Sequence, residues 1–293
     1  MARNAAVRGR HRLARGGART PAAAPPEPLD VGVAFRFLRG LKRNNDRTWF
    51  HANRAAWDTA VRHGFEELVT LLLLDAARDD DRLRHADPRA CLFRLANDTR
   101  FHAGKAPYKT WLSAWISPGG KNGAFAGYYV HLAPGESEFS AGIYVPEKPA
   151  LRVLRSVFAE DGGEARRFDR ILHANALRPY LPLETAPLRV TPRGFPKAHR
   201  RLGLIRARNY LVRRDVSDGE LRARGPFAVF RDAIRDCAPF VRWLDEHARA
   251  GEARTVDDDP DADPSGEAVY AGAAGLDALR GSERRTRRRT PQG

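Results

Sequence analysis

Apolar positions recur at helical spacing near the start of the chain and at strand spacing in its middle, and this change of period sets the expected fold. In VAFRFLRGLKRN, Val33, Phe37 and Leu41 fall every four residues, which predicts a helix. The NND at 44 to 46 supplies a stop and then a new N-cap. A second, longer helix is predicted from 47 to 78 on a stripe of Trp49, Phe50, Trp57, Val61, Phe65, Leu68 and Leu72, with Gly64 as the place where it bends or divides. After Pro88 the period shortens. CLFRLAND, WLSAWIS (111 to 117), AGYYVHLA (126 to 133) and EFSAGIYV (138 to 145) read as successive strands, and SPGGKNG and PGES between them are short and rich enough in Gly and Pro to be hairpin turns.

From Pro149 the helical period returns in LRVLRSVFAE and ARRFDRILHAN. A loop through PYLPLETAP, a short extended piece LRVT, a brief helix and a last strand around 209 to 214 follow. The final amphipathic stretch, 218 to 250, opens on the cap candidates Ser217 and Asp218 and closes before Gly251. Pro226 and Pro239 are expected at breaks or first turns, which favours two helices over one. Strands in a meander with helices gathered from both chain ends define an α+β fold with an antiparallel β-meander sheet, not the βαβ alternation of a Rossmann-type fold. No internal repeat is visible.

Composition narrows the class. With 293 residues and 42% hydrophobic content, the chain has enough apolar surface for a sizeable core. The longest apolar run, LVTLLLL at 68 to 74, falls far short of the span a membrane helix needs, so a soluble protein with no membrane partner is expected. Arg3, Arg8, Arg10, Arg12 and Arg15 are followed by no apolar segment, which argues against a secretory signal. Cys91 and Cys237 lie in apolar runs without a CxxC pair and read as reduced core thiols of a cytoplasmic protein. Residues 1 to 28, rich in Arg, Ala and Pro, and residues 252 to 293, acidic and then basic, have no hydrophobic periodicity; disordered basic tails are expected on either side of a single domain at 29 to 251.

Formal net charge is +15, and because the acidic run DDDPDADP offsets much of the tails, the segment 29 to 251 is itself basic. A polyanionic or phosphorylated partner fits that balance, as does Arg enrichment with no functional meaning. The Arg-rich tails can contribute weak nucleic-acid contact, or simply be solvated.

Candidate chemistry concentrates in NDTRFHAGKAPYKT, residues 97 to 110. Arginine outnumbers lysine 45 to 6 in the chain, yet Lys105 and Lys109 lie in this stretch and Lys121 close behind. Arg presents a planar fork, whereas Lys presents a compact ammonium with three rotatable donors, so retained lysines point to a need for the ammonium itself. A polar loop between two core strands is also a favourable place for binding groups. Arg94, Arg100, Lys105, Tyr108 and Lys109 are therefore candidate ligand-binding residues, with Asp98 as their internal partner. The loop SPGGKNG can be an anion nest reinforced by Lys121 or a plain hairpin turn. Strand alternation puts Tyr129 and His131 on one face and Tyr128, Val130 and Leu132 on the other. His131 facing the cationic loop is a candidate general base, and Asp98 a second one; a satisfied core histidine is the competing reading.

Other constellations fail. No HxxxH or HxH pair supports a zinc site, no GxSxG elbow or GxGxxG fingerprint occurs, and no metal or cofactor is expected. The acids in LLLLDAARDDD read as a solvated helix end, and Arg231, Arg235 and Arg242 as an ordinary charged face interleaved with acids.

The ordered series FLRGLKRNNDRTWF, FRLANDTRFHAGKAPYKT, SPGGK, GYYVHL, AGIYVPE, PRGFPKAHR and NYLVRRDVSD resembles domain-of-unknown-function family 2461, widespread in bacteria and also found in fungi, over about residues 31 to 245. Asp98, Thr99, Arg100, Phe101, Lys105, Pro107, Tyr108, Lys109 and Thr110 match the family block, as do Gly127, Tyr128, His131, Gly142, Tyr144, Gly194 and Phe195. The chain departs from it at His102, Ala103 and Gly104 and in WLSAW. The resemblance implies a single α+β domain with no established activity and no assigned catalytic residue. The functional expectation is binding of an anionic, phosphate-bearing ligand at the cationic inter-strand loop. Hydrolysis or group transfer on that ligand is one alternative, and a structural or nucleic-acid-associated role without turnover is another.

Overall fold

The strand-period segments pair into one sheet, β1 (Leu112–Ile116), β2 (Gly127–Leu132), β3 (Ser137–Ile143) and β4 (Tyr210–Val216), in the order β1-β2-β3-β4 with every pair antiparallel. In this computed structural model, residues 28–97, 106–123 and 125–252 are described. The predicted tails, together with Asp98, Arg100 and Lys105, lie outside the described residues.

Alternation gives the sheet two faces. One presents Leu112, Ala114, Ile116, Tyr128, Val130, Leu132, Phe139, Ala141, Ile143, Tyr210 and Val212 to the main core. The helices that bury this face are α4 (His63–Ala76), α6 (Lys148–Glu160) and α10 (Pro226–Glu252), with α1 (Val31–Arg43) and α7 (Gly163–Leu172) packed around them. Phe158 of α6, Phe168 of α7 and Trp243 of α10 form an aromatic junction with ring separations of 4.6 to 5.7 Å. Buried side chains of this size each contribute on the order of 2 kcal/mol by removal from water, so helices from both ends of the chain are held to the same sheet face.

The long predicted helix is divided, though not at Gly64. Asn53 ends α2 (Arg47–Ala52), where its side-chain amide donates to the Trp49 carbonyl at 2.9 Å. The chain resumes as a short turn α3 (Arg54–Ala56), widens into a π-helical turn at Trp57–Arg62, and continues directly into α4. Gly64 stays helical and serves packing: a Cβ there would meet the Pro28 carbonyl oxygen at 2.9 Å.

CLFRLAND is not a strand. Asp87 accepts from the Arg89 amide and Pro88 sits at the first position, so this stretch opens as a helical turn, α5 (Pro88–Cys91). Only isolated bridges, Leu92 to Ala114 and Ala96 to Tyr108, tie the following residues to β1 and to the returning chain. LRVT is likewise irregular and precedes the short helix α8 (Leu202–Ile205).

The C-terminal stretch does form two helices, α9 (Asp218–Arg224) and α10, with Pro226 opening the second. Pro239, expected at a break, lies inside α10, where the buried flanking residues Ile234, Phe240, Val241, Trp243 and Leu244 hold the helix across the missing donor.

Of the acids after LLLL, Asp79 and Asp81 are exposed as expected, but the other two are not solvated. Asp75 and Asp80 are buried: Asp75 pairs with Arg235 at 2.9 Å, and Asp80 with Arg82, which also grips Asp245.

Candidate functional site

Two walls enclose a cleft of about 710 Å³ beside the β1 edge of the sheet. The helical wall is Phe50 and His51 of α2, Arg54 of α3, Trp57 and Arg62 of the π turn, and Phe65 and Glu66 of α4. Facing it are Arg89 of α5, the bridge segment Leu92 to Ala96, Tyr108, Trp111, Leu112 and Lys121. A π turn in an otherwise α-helical rod is uncommon and often marks a functional segment, and here its two end residues both face the cleft.

Tyr108 joins the walls. Its ring stacks on Phe50 at 4.3 Å, and its backbone is clamped by Asn45, whose Nδ2 donates to the Tyr108 carbonyl (2.9 Å) while its Oδ1 accepts from the Tyr108 amide (3.1 Å). Asn45 thus supplies what a neighbouring strand would supply. It sits in the NND that sequence reasoning read only as a helix stop and start.

The cations divide into two sets. On the helical wall, Arg54 and Arg62 share Asp58, at 2.7 and 3.1 Å, and Arg62 also reaches Glu66 at 2.9 Å. The Arg54 hydrogen bond, supported by Arg62, holds the Asp58 carboxyl below the usual range. On the other wall Arg89, Arg94 and Lys121 form no ion pair among the described residues. Lys121 Nζ donates to the Ala90 carbonyl at 3.2 Å, a neutral acceptor that fixes the ammonium without neutralising it.

The SPGGKNG loop is a hairpin turn. Gly120 takes φ +61°, its amide donates to Ser117 O (3.0 Å), and the Gly123 amide donates to Gly120 O (3.2 Å). Those two donors are used within the turn and not aimed at a ligand, so the nest reading fails for them while Lys121 still reaches the cleft.

Of the residues singled out in the sequence, the cleft brings together Arg94, Tyr108 and Lys121. Lys109 lies just behind, its ammonium 5.3 Å from the Phe93 ring centre and 5.9 Å from that of Trp111. Phe93 and Trp111 line the cleft and also touch the sheet face turned away from the main core, Phe93 against Tyr129 and Trp111 stacked on His131 at 5.7 Å. Tyr129 and His131 do share that face, and the Tyr129 hydroxyl lies 3.1 Å from His131 Nδ1. His131 is only 1% exposed and does not line the cleft.

That second face holds more polar groups than alternation alone suggested. Register places Ser113, His131, Glu138 and Asp215 in one row across the four strands. Fully buried Glu138 accepts from Ser140 Oγ at 2.8 Å and pairs with Arg213 at 3.3 Å, and Arg213 also meets Glu184 at 3.0 Å. Buried Trp115 Nε1 finds no acceptor among the described residues. Sequence reasoning passed over Glu138, although EFSAGI puts it in phase with Ser140. It also passed over Arg54, Arg62 and Arg89, for which no local motif existed. Both cysteines are buried thiols, with burial pushing each pKa up, and no group of metal-binding residues forms among the described residues.

A four-stranded meander backed by helices on one face, with an aromatic cleft at its β1 edge whose Arg89, Arg94 and Lys121 form no ion pair among the described residues, defines an α+β domain. The chain belongs to the family described as Conserved hypothetical protein (DUF2461), whose model matches residues 33–243. No curated protein and no solved structure matches the chain. No described helix is long and apolar enough to cross a membrane.

Proposed function

We propose that the cleft binds an amphipathic anion, a phosphate-bearing molecule whose apolar body rests on Phe50, Phe93 and Trp111 while its phosphate meets Arg89, Arg94 and Lys121. The observation that carries this reading is the asymmetry of the cleft: one wall has its arginines neutralised by Asp58 and Glu66, and the other offers three cations with no carboxylate partner among the described residues. Concave, largely apolar surfaces with a few convergent polar groups are the usual form of small-molecule sites. Guanidinium forks match phosphate oxygens in pairs, and such charge-assisted bonds are about twice as strong as neutral ones.

Binding is the core of this reading. His131, the imidazole singled out in the sequence as a base, is stacked behind Trp111 and withdrawn from the cleft surface, and the imidazole on the cleft wall is that of His51. The test is thermal-shift and calorimetric titration of the full chain with aryl phosphates, acyl phosphates, nucleotides and inorganic phosphate. An aryl or acyl phosphate is expected to outrank inorganic phosphate, and Arg94→Ala or Arg89→Ala to weaken it by about tenfold or more, the value of one hydrogen bond to a charged group. A wild-type chain indifferent to the whole panel would end the proposal.

A further inference from the structure

A second concavity of about 600 Å³ lies between α6 and the loop at 188–195, and no residue lines both it and the cleft. Lys148, Arg152 and Arg155 reach it from α6, and Arg189 and Arg193 from the loop; no Asp or Glu is among the described residues that line it. We propose that this groove binds the phosphate backbone of a single-stranded nucleic acid.

The chain's excess positive charge is unevenly compensated. Lys and Arg total 51 against 36 Asp and Glu, and over much of the surface the fold answers arginine with carboxylate. Arg54 and Arg62 meet Asp58, Arg82 meets Asp80 and Asp245, Arg201 meets Asp161 and Asp169, Arg214 meets Glu220, and Arg224 meets Asp232. Here the rule is reversed. Lys148, Arg152, Arg189 and Arg193 are exposed and form no ion pair among the described residues.

Neighbouring guanidiniums are fixed by neutral oxygens instead. Arg155 donates to the Ala207 carbonyl (2.9 Å), Arg206 to Thr191 Oγ1 (3.0 Å) and Arg208 to the Ala186 carbonyl (2.9 Å). For Arg206 and Arg208 a neutral acceptor orients the fork without neutralising its charge. Like charges collected in a concavity repel one another in the free protein and focus the field on a polyanion that enters.

The groove also has an apolar side. Val190 is 74% exposed, and Leu151, Leu188 and Phe195 line the same surface. A strand whose phosphates run along the arginines can lay sugars and bases on these residues, the division of labour common to single-strand binders. A bilayer is a poor match because its charge lies in a plane, which cations lining a concavity cannot approach together. An acidic peptide would supply the charge, but it brings no flat bodies to cover Phe195 and Val190.

The test is fluorescence anisotropy of the full chain with a labelled oligothymidylate of about 15 nucleotides, over a salt series. Wild type is expected to bind with log K falling by about 0.7 per tenfold rise in salt for every phosphate neutralised. The variant R152A/R189A/R193A, tails unchanged, should bind at least about tenfold more weakly with a slope shallower by roughly 2. R152K/R189K/R193K should keep the slope. Melting curves check the fold, and Arg193→Glu, a single exposed loop change, must itself weaken binding more than Arg193→Lys does. An unchanged affinity and slope in the triple alanine variant would overturn the proposal by moving binding to other cations of the chain. So would absence of wild-type binding, or equal binding to poly-glutamate or to vesicles of anionic lipid. None of these outcomes depends on the β1-edge cleft.

Discussion

The clamp that Asn45 places on Tyr108 makes a quantitative prediction about how the β1-edge cleft is built. Asn45 and Tyr108 are 63 residues apart, and the two hydrogen bonds between them satisfy both backbone polar groups of Tyr108. Replacing Asn45 by Ala removes both bonds and leaves a half-buried amide and carbonyl to whatever water can enter. At about 1 kcal/mol for each bond, the expected loss is about 2 kcal/mol. For a folded unit of this size that corresponds to a fall in Tm of roughly 4 to 8 °C. Urea denaturation followed by tryptophan fluorescence reads the loss directly, since Trp49, Trp57 and Trp111 surround the clamp or the cleft. Asn45→Asp keeps the acceptor but sets a carboxylate oxygen against the Tyr108 carbonyl. It should be at least as damaging at neutral pH and recover in part as acid protonates the new carboxyl and restores a donor. A loss below about 0.5 kcal/mol for Asn45→Ala would show that water replaces the side chain at no cost, and that Tyr108 is held by its stack on Phe50 and not by the clamp.

Three further outcomes follow from the same physics. Arg82→Ala strands Asp80 and the almost fully buried Asp245, and although Arg249 still reaches Asp245 at 2.8 Å, a loss of about 3 kcal/mol is expected in equilibrium denaturation. Asp80 also sets a pH dependence: burial pushes its pKa up, but the Arg82 hydrogen bond and charge outweigh burial and hold it below the ordinary carboxylate value. A depressed folded-state carboxyl contributes fully above its unfolded pKa and loses that contribution as pH falls through the folded one, so wild-type urea midpoints should drop below about pH 4 and those of Arg82→Ala should drop less. Gly120→Ala forces an L-residue to φ +61° with its Cβ 2.7 Å from the Ala90 carbonyl oxygen; a thermal melt should show a loss of about 2 kcal/mol.

The sheet was legible because its signal is local. Alternation in WLSAWIS, GYYVHL and EFSAGIYV fixes which side chains share a face, and short Gly-rich turns leave antiparallel pairing as the easy connection. CLFRLAND misled for a related reason. Cys91, Phe93 and Leu95 alternate as a strand's residues do, but a strand exists only with a ladder beside it, and this segment finds isolated bridges. The π turn at Trp57–Arg62 was invisible because one apolar stripe suits both windings within the error of the pattern. Asp75 looked solvated because its partner is remote, Arg235 lying 160 residues away; Asp80 pairs with Arg82 only two residues on, but the Asp245 that shares Arg82 lies 163 residues from it.

The site was half legible for the same reason. Cations on 94 to 121 could be gathered into one loop region from sequence, but the facing wall comes from residues 50 to 66, whose aromatics had already been assigned to a core stripe. Phe50, Trp57 and Phe65 do belong to that core, and they also reach the cleft. The retained lysines separate into distinct physical cases. Lys121 reaches from a tight turn to a carbonyl of α5, where a compact ammonium on a flexible stem fits more readily than a planar fork. Lys109 sits within 6 Å of two aromatic ring centres, Phe93 and Trp111, which between them touch Tyr129 and His131. A guanidinium gains most by lying flat on one ring, whereas a spherical charge can be attracted by two ring faces at once. Contact with two aromatic rings thus gives lysine at 109 one cause within the fold, and the proposed ligand contacts are those of Arg89, Arg94 and Lys121.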